Sequence, residues 1–234
     1  MNPLPTIVLF HGSWHTPANY QSYVNDLQAK GFTVHCPLLP TSKGDRPPKA
    51  DLPDDVAHVR SVIETCVDRG ERVLLIMHSY GGMVGTDAAQ GLDLATRRKV
   101  NKIGGMQDAW AQMVDIAEDG TSVLRDPGLA CFSNLEDESV VKKATETMVC
   151  SPPGPLTALT TGDVWRIVPT TYVRTSRDCA LVPPYQTLLL DRIKAEGVVL
   201  DIVEFDTHHS AWISLPEEMV QMALKAAGDE RNLE

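Results

Sequence analysis

The stretch Leu74-Leu75-Ile76-Met77-His78-Ser79-Tyr80-Gly81-Gly82-Met83-Val84-Gly85 decides how this chain is read. An apolar run stops at a serine, two glycines follow at once, and a run of small residues begins. The pattern predicts a buried strand, a tight turn with Ser79 at its apex, and a helix start. A serine hydroxyl is a weak nucleophile unless it is exposed on such a turn, near a base and near backbone donors. The turn supplies exposure and donors. The base has to come from elsewhere in the chain.

Working outward, the flanks alternate between strand and helix. Thr6-Ile7-Val8-Leu9-Phe10 is a β-rich run without polar alternation, as expected of a strand covered on both faces. It empties into His11-Gly12-Ser13-Trp14-His15-Thr16-Pro17. A helix is expected over 18–30, stopped by Gly31, and a strand over 32–36. Residues 37–53 hold five prolines and read as a surface connection. Asp54-Asp55 opens the next helix, with Val56, Val59, Val62, Ile63, Cys66 and Val67 facing inward. The central strand follows over 72–77. Beyond residue 107 the rhythm breaks into short helical pieces up to 165, expected to form an inserted cap. Strand, helix, strand and helix then return over 169–176, 184–196, 198–205 and 216–227. The fold class is α/β, a doubly wound, mostly parallel sheet with an inserted helical cap.

The 234 residues, 43% of them hydrophobic, suffice for one substantial core, so a single domain over 1–234 is expected. A net charge of −10 argues against nucleic acid or an anionic membrane as partner. No window approaches the roughly 18 consecutive apolar residues of a membrane-spanning helix. Met1-Asn2-Pro3-Leu4-Pro5 lacks the basic and apolar regions of a signal peptide, so a cytoplasmic location is expected. The five cysteines are odd in number and scattered, and none has the spacing of a metal site. Free thiols, no metal and no cofactor follow. Oligomeric state is not legible in these residues.

In doubly wound sheets, functional groups gather beyond the carboxyl ends of the strands. The loop after the last strand reads Asp206-Thr207-His208-His209-Ser210 and offers a base. The loop after the preceding strand reads Arg177-Asp178-Cys179 and offers an acid. Serine, acid and histidine thus follow in the order Ser79, Asp178, then His208 or His209. His11 and Trp14, in the first loop, are candidate substrate-binding residues, although His11 also suits a role in organising its own loop. Trp14, Trp110, Trp165 and Trp212 suit either a pocket lining or the core.

At this point the chain resembles the α/β-hydrolase superfamily, and within it the small branch that holds methylesterases and hydroxynitrile lyases. The residues carrying the likeness are Phe10-His11-Gly12-Ser13-Trp14-His15, His78-Ser79-Tyr80-Gly81-Gly82, Tyr172-Val173-Arg174-Thr175-Ser176-Arg177-Asp178, and His209-Ser210. Met77 departs from the glycine that usually opens the serine turn. The resemblance implies Ser79 as nucleophile, His209 in preference to His208 as base, and Asp178 as the residue orienting it. It also implies an oxyanion hole made by the backbone N–H groups of Ser13 and Tyr80. The expected activity is hydrolysis of a small or medium carboxylic ester or lactone. Two alternatives are a hydroxynitrile-lyase-like or retro-aldol C–C lyase and a catalytically silent hydrolase-like receptor. The lyases carry threonine at the position of Gly12 and lysine after the catalytic histidine, where this chain has Ser210. The family pattern also expects a parallel strand between those bearing Ser79 and Asp178. No buried strand is visible over 91–110, which suggests that a strand-containing segment near 96–106 is missing, by omission or by deletion. Without it, a gap of about 9.6 Å or a closing of the sheet is expected.

Overall fold

Strand β1 (Thr6–Phe10) is buried along its whole length because both of its faces are covered. The structure, a computed structural model, describes residues 3–92, 113–133 and 135–228. A single 3-10 turn leads from β1 into α1 (Gln21–Ala29), followed by β2 (Val34–His35), α2 (Leu52–Asp68), β3 (Val73–Met77) and α3 (Tyr80–Ala88). After the excursion come β6 (Thr171–Thr175), α7 (Pro183–Ala195), β7 (Asp201–Phe205), the short α8 (Ala211–Ser214) and α9 (Pro216–Ala227). β1 pairs in parallel with β2 on one side and with β3 on the other, Phe10 facing Met77 in register.

The two-residue period of β1 divides the core. Ile7 and Leu9 point to one side and pack with Tyr20, Leu27, Val220 and Leu224 of the α1 and α9 layer. Val8 and Phe10 point to the other and pack with Val59, Ile63, Val84 and Ala88 of α2 and α3. Burying each such side chain is worth about 1.5–3 kcal/mol, so β1 anchors both layers at once.

Helix α2 starts earlier than its acidic pair suggests. Asp51 is its cap, accepting from the Leu52 N–H, while the Asp54 carboxylate accepts from the Asp51 N–H. On its inner face Asp55 is fully buried, whereas Val67, expected inside, is 40% exposed. Asp55 is drawn in by three donors: the Thr41 N–H, the Thr41 hydroxyl and the Tyr80 hydroxyl.

Two further expectations are corrected. β3 is half-buried throughout, not buried. It ends a three-stranded sheet ordered β2-β1-β3, while β6 and β7 pair in parallel as a separate two-stranded sheet. Among the described residues no strand joins β3 to β6. The 96–106 stretch, where the missing strand was sought, lies outside the described residues. The 107–165 stretch, expected to be a helical cap, is not purely helical where it is described. Before its helices α4 (Pro127–Phe132), α5 (Glu138–Glu146) and α6 (Gly154–Thr157) it holds an antiparallel hairpin of β4 (Val114–Ile116) and β5 (Ser122–Leu124). These strands have three residues each, too few for their alternation to register in the sequence. Among the described residues no helix is long and apolar enough to cross a membrane.

Candidate active site

Ser79 sits between β3 and α3 with φ 53° and ψ −120°, a left-handed backbone that a non-glycine residue adopts only under constraint. Its neighbours explain how the turn is held. A Cβ on Gly81 would lie 2.3 Å from the Phe10 carbonyl oxygen, so only glycine lets α3 approach β1 this closely. Gly85 makes room in the same way for Phe10 and for the sulfur of Met77. The large residue at 77 is therefore accommodated one helical turn further on. The Tyr80 hydroxyl donates to Asp55 Oδ2 at 2.7 Å and ties the start of α3 to α2. Burial pushes the Asp55 carboxyl above its usual range, against the pull of its hydroxyl and N–H donors.

The candidate acid and base follow strands β6 and β7. Asp178, after β6, is 4% exposed, and His209, after β7, is 7% exposed. His209 Nδ1 and Asp178 Oδ2 are 2.8 Å apart. The same oxygen accepts from the Thr175 hydroxyl, and Oδ1 accepts from the N–H groups of Ala180 and Leu181. Burial acts to raise the Asp178 carboxyl, but His209 and these donors outweigh it and hold it below the usual carboxylate range. An ionised carboxylate only accepts, so Nδ1 of His209 carries the proton and Nε2 is the bare nitrogen of the neutral ring. His208 points elsewhere: its Nδ1 accepts the Ser210 N–H at 3.0 Å, and among the described residues it makes no hydrogen bond to a carboxylate. Asp206 is exposed and paired with Arg177 and Ser176.

The first loop lies against the serine. A Cβ on Gly12 would come 3.2 Å from Ser79 Cβ and 2.9 Å from His78 Nδ1. The backbone N–H groups of Ser13 and Tyr80 are not used by any described residue. His11 is fully buried, its Nδ1 donating to the Gly12 carbonyl and its Nε2 accepting from the Leu39 N–H. Burial pushes that ring down to about 4, so it stays neutral. With both nitrogens used inside the protein, it organises the loop. Trp14 is 4% exposed and its indole N–H donates to Ser122 of the cap hairpin. Trp212 stacks on Tyr20 at 4.4 Å, Arg166 lies over Trp165, and Trp110 lies outside the described residues. Among the described residues, no hydrogen bond joins Ser79 Oγ to His209. Loose apo contacts of this kind tighten on substrate binding in many enzymes.

Two side chains that sequence reasoning passed over link these parts. The Tyr20 hydroxyl touches both the Gly12 N–H, at 3.1 Å, and His78 Nδ1, at 2.7 Å. His78 Nε2 reaches the His209 carbonyl at 3.2 Å. His78 adjoins Ser79 in the chain, which was its only signal in the sequence. Two surface clefts, of about 490 and 460 Å³, lie between α4 and α5 and beside the start of α2, and neither reaches Ser79. No group of three or more metal-ligating side chains occurs among the described residues.

Comparison with known proteins matches residues 7–222 to the model of the Alpha/beta hydrolase family. An alpha/beta hydrolase of Aspergillus novofumigatus, nvfD, is 26% identical over 96% of this chain and 97% of its own length. Among solved structures, a pyrethroid hydrolase from Sphingobium faniae JZ-2 superposes with a TM-score of 0.68 at 17% identity, covering 97% of this chain and 98% of that one. A methylesterase from Arabidopsis does so with a TM-score of 0.69 at 16% identity, over 95% and 99%. The family match runs from the strand that leads into His11 to the helix beyond His209, and the chain belongs to the alpha/beta hydrolase family.

Proposed function

We propose that this protein hydrolyses small or medium carboxylic esters or lactones through an acyl-enzyme on Ser79. The observation that carries the reading is the buried Asp178–His209 pair beside a strained serine at the start of a helix. His209 Nε2 takes the Ser79 proton as Oγ attacks the carbonyl carbon, and Asp178 stabilises the imidazolium. The oxyanion is received by the Ser13 and Tyr80 N–H groups, the latter helped by the helix dipole. His209 then protonates the departing alcohol. A water, deprotonated by the same ring, cleaves the acyl-Ser79 bond and releases the acid.

The methylesterase among the structural neighbours, and the hydrolase name of the other, agree with this substrate class. The cap, 107–165, covers the site in this reading, and several contacts support it. Trp14 bonds to Ser122, the Val149 N–H donates to the Trp14 carbonyl, and Asn19 donates to the Ala144 carbonyl. The five cysteines are free, in keeping with a cytoplasmic enzyme. The lyase reading is disfavoured by Gly12, where the side chain of a threonine would collide with His78 and Ser79.

Short p-nitrophenyl esters and a cyanohydrin, each given to wild type and Ser79→Ala, test the proposal. Ester turnover lost in the variant supports it. Cyanohydrin cleavage without ester turnover overturns it in favour of the lyase, and inertness toward both favours the silent receptor.

A further inference from the structure

Among the described residues, the acid and base follow β6 and β7, and the nucleophile and first loop follow β3 and β1. Something must set their relative position. The backbone connects them only at a distance, because Ser79 and His209 are far apart in the chain. Val173 and Phe205 share a core with Leu74 and Ile76, which brings the two halves together; among the described residues, a side-chain hydrogen-bond path that links their polar groups runs through Tyr20 and His78.

The His209 carbonyl can only accept, so the neutral His78 ring keeps its proton on Nε2; the Tyr20 hydroxyl donates to Nδ1 while its oxygen accepts the Gly12 N–H. The chain reads Gly12 N–H to Tyr20 O–H to His78, and His78 N–H to the His209 carbonyl. Its ends are the residue before Ser13 and the backbone of the base itself; its middle adjoins Ser79. Rings lock it in place. Trp212, three residues after His209, stacks on Tyr20 at 4.4 Å and meets His78 edge-on at 4.5 Å. The His209 ring also lies edge-on to His78, with centroids 4.5 Å apart. Trp212 is itself fixed by its indole N–H bond to the Asn19 carbonyl.

We infer that Tyr20 and His78 are positioning residues that hold the oxyanion loop, the serine turn and the base loop in register with one another. This inference rests on the hydrolase reading of Ser79. A charged His78 would break the path, since Nδ1 would become a donor facing the tyrosine proton. Burial, with His209 and His15 close by, keeps the ring neutral.

The test compares wild type with Tyr20→Phe, His78→Gln and His78→Leu, using p-nitrophenyl acetate kinetics and the rate of fluorophosphonate labelling. Circular dichroism identifies the folded variants. Tyr20→Phe keeps the stacking ring and loses only the hydroxyl. It is expected to lower kcat and the labelling rate by about 10- to 100-fold with KM within about twofold, the scale of a misplaced reacting group. His78→Gln retains an amide N–H for the His209 carbonyl and is expected to keep about 10-fold more activity than His78→Leu. A folded Tyr20→Phe that labels at the wild-type rate overturns the inference, as do folded Gln and Leu variants of equal activity. If Tyr20→Phe does not fold, the His78 pair decides alone. A wild type that does not label overturns the serine reading and this inference with it, a result distinct from the others.

Discussion

Gly12 and Asp178 show how single positions constrain the chemistry. A Cβ at Gly12 meets His78 at 2.9 Å and Ser79 at 3.2 Å, distances that require one of them to move. Gly12→Thr is therefore expected to lower ester turnover by about 10²-fold, and not to confer cyanohydrin cleavage. Steady-state kinetics on esters and a cyanohydrin check this; a gain of cyanohydrin cleavage contradicts it. Asp178 accepts four hydrogen bonds, one of them from the base. Asp178→Asn keeps the size but lets Nδ1 of His209 lose its proton, the wrong tautomer for a base. A kcat loss of about 10⁴ is expected, with the far-ultraviolet spectrum unchanged. A loss below tenfold contradicts the assigned role.

The serine turn shows what an element needs from neighbouring glycines. Gly81 and Gly82 look equivalent in sequence, yet a Cβ at 81 strikes backbone of β1 at 2.3 Å while one at 82 meets nothing within 4 Å. Gly81→Ala is expected to cost about 3 kcal/mol, lowering the melting temperature by roughly 6–12 °C. Gly82→Ala, inside a helix, leaves it unchanged or slightly raises it. Thermal melts of the two separate them, and equal midpoints contradict the packing described. The difference explains why some parts of the fold were legible and others were not. β1 was readable because five apolar residues in a row need cover on both faces. α9 was readable because Pro216 opens an amphipathic helix closed by Gly228. Asp55 was misread because its burial depends on Thr41 and Tyr80, which no local period can reveal. Asp178 and the two histidines 208 and 209 were singled out through strand-end placement, but His78 was not, because its partners Tyr20 and His209 are distant in sequence.

At the scale of the molecule, the candidate site draws on loops after β1, β3, β6 and β7 and is surrounded by buried neutral histidines. Burial lowers the rings of His11, to about 4, His15, to about 3, and also His78 and His208. In the unfolded chain each protonates near pH 6.5. Between that pH and the lowered folded values the unfolded state binds more protons, so stability falls as pH falls. Asp178, held below its usual range, adds a loss in the same direction only beneath about pH 4. The melting temperature is thus expected to change little from pH 8 to 7 and to drop steadily from pH 6.5 toward 4. A midpoint that stays flat to pH 4.5 contradicts the neutral buried rings.

The central claim is that Ser79 is an activated nucleophile served by His209 and Asp178. The most direct measurement is intact-mass and peptide analysis after fluorophosphonate treatment of wild type, Ser79→Ala and His209→Ala. The account predicts one adduct on wild type, located on Ser79, absent from Ser79→Ala and strongly slowed in His209→Ala. An unmodified wild type, or an adduct that persists in Ser79→Ala, contradicts it.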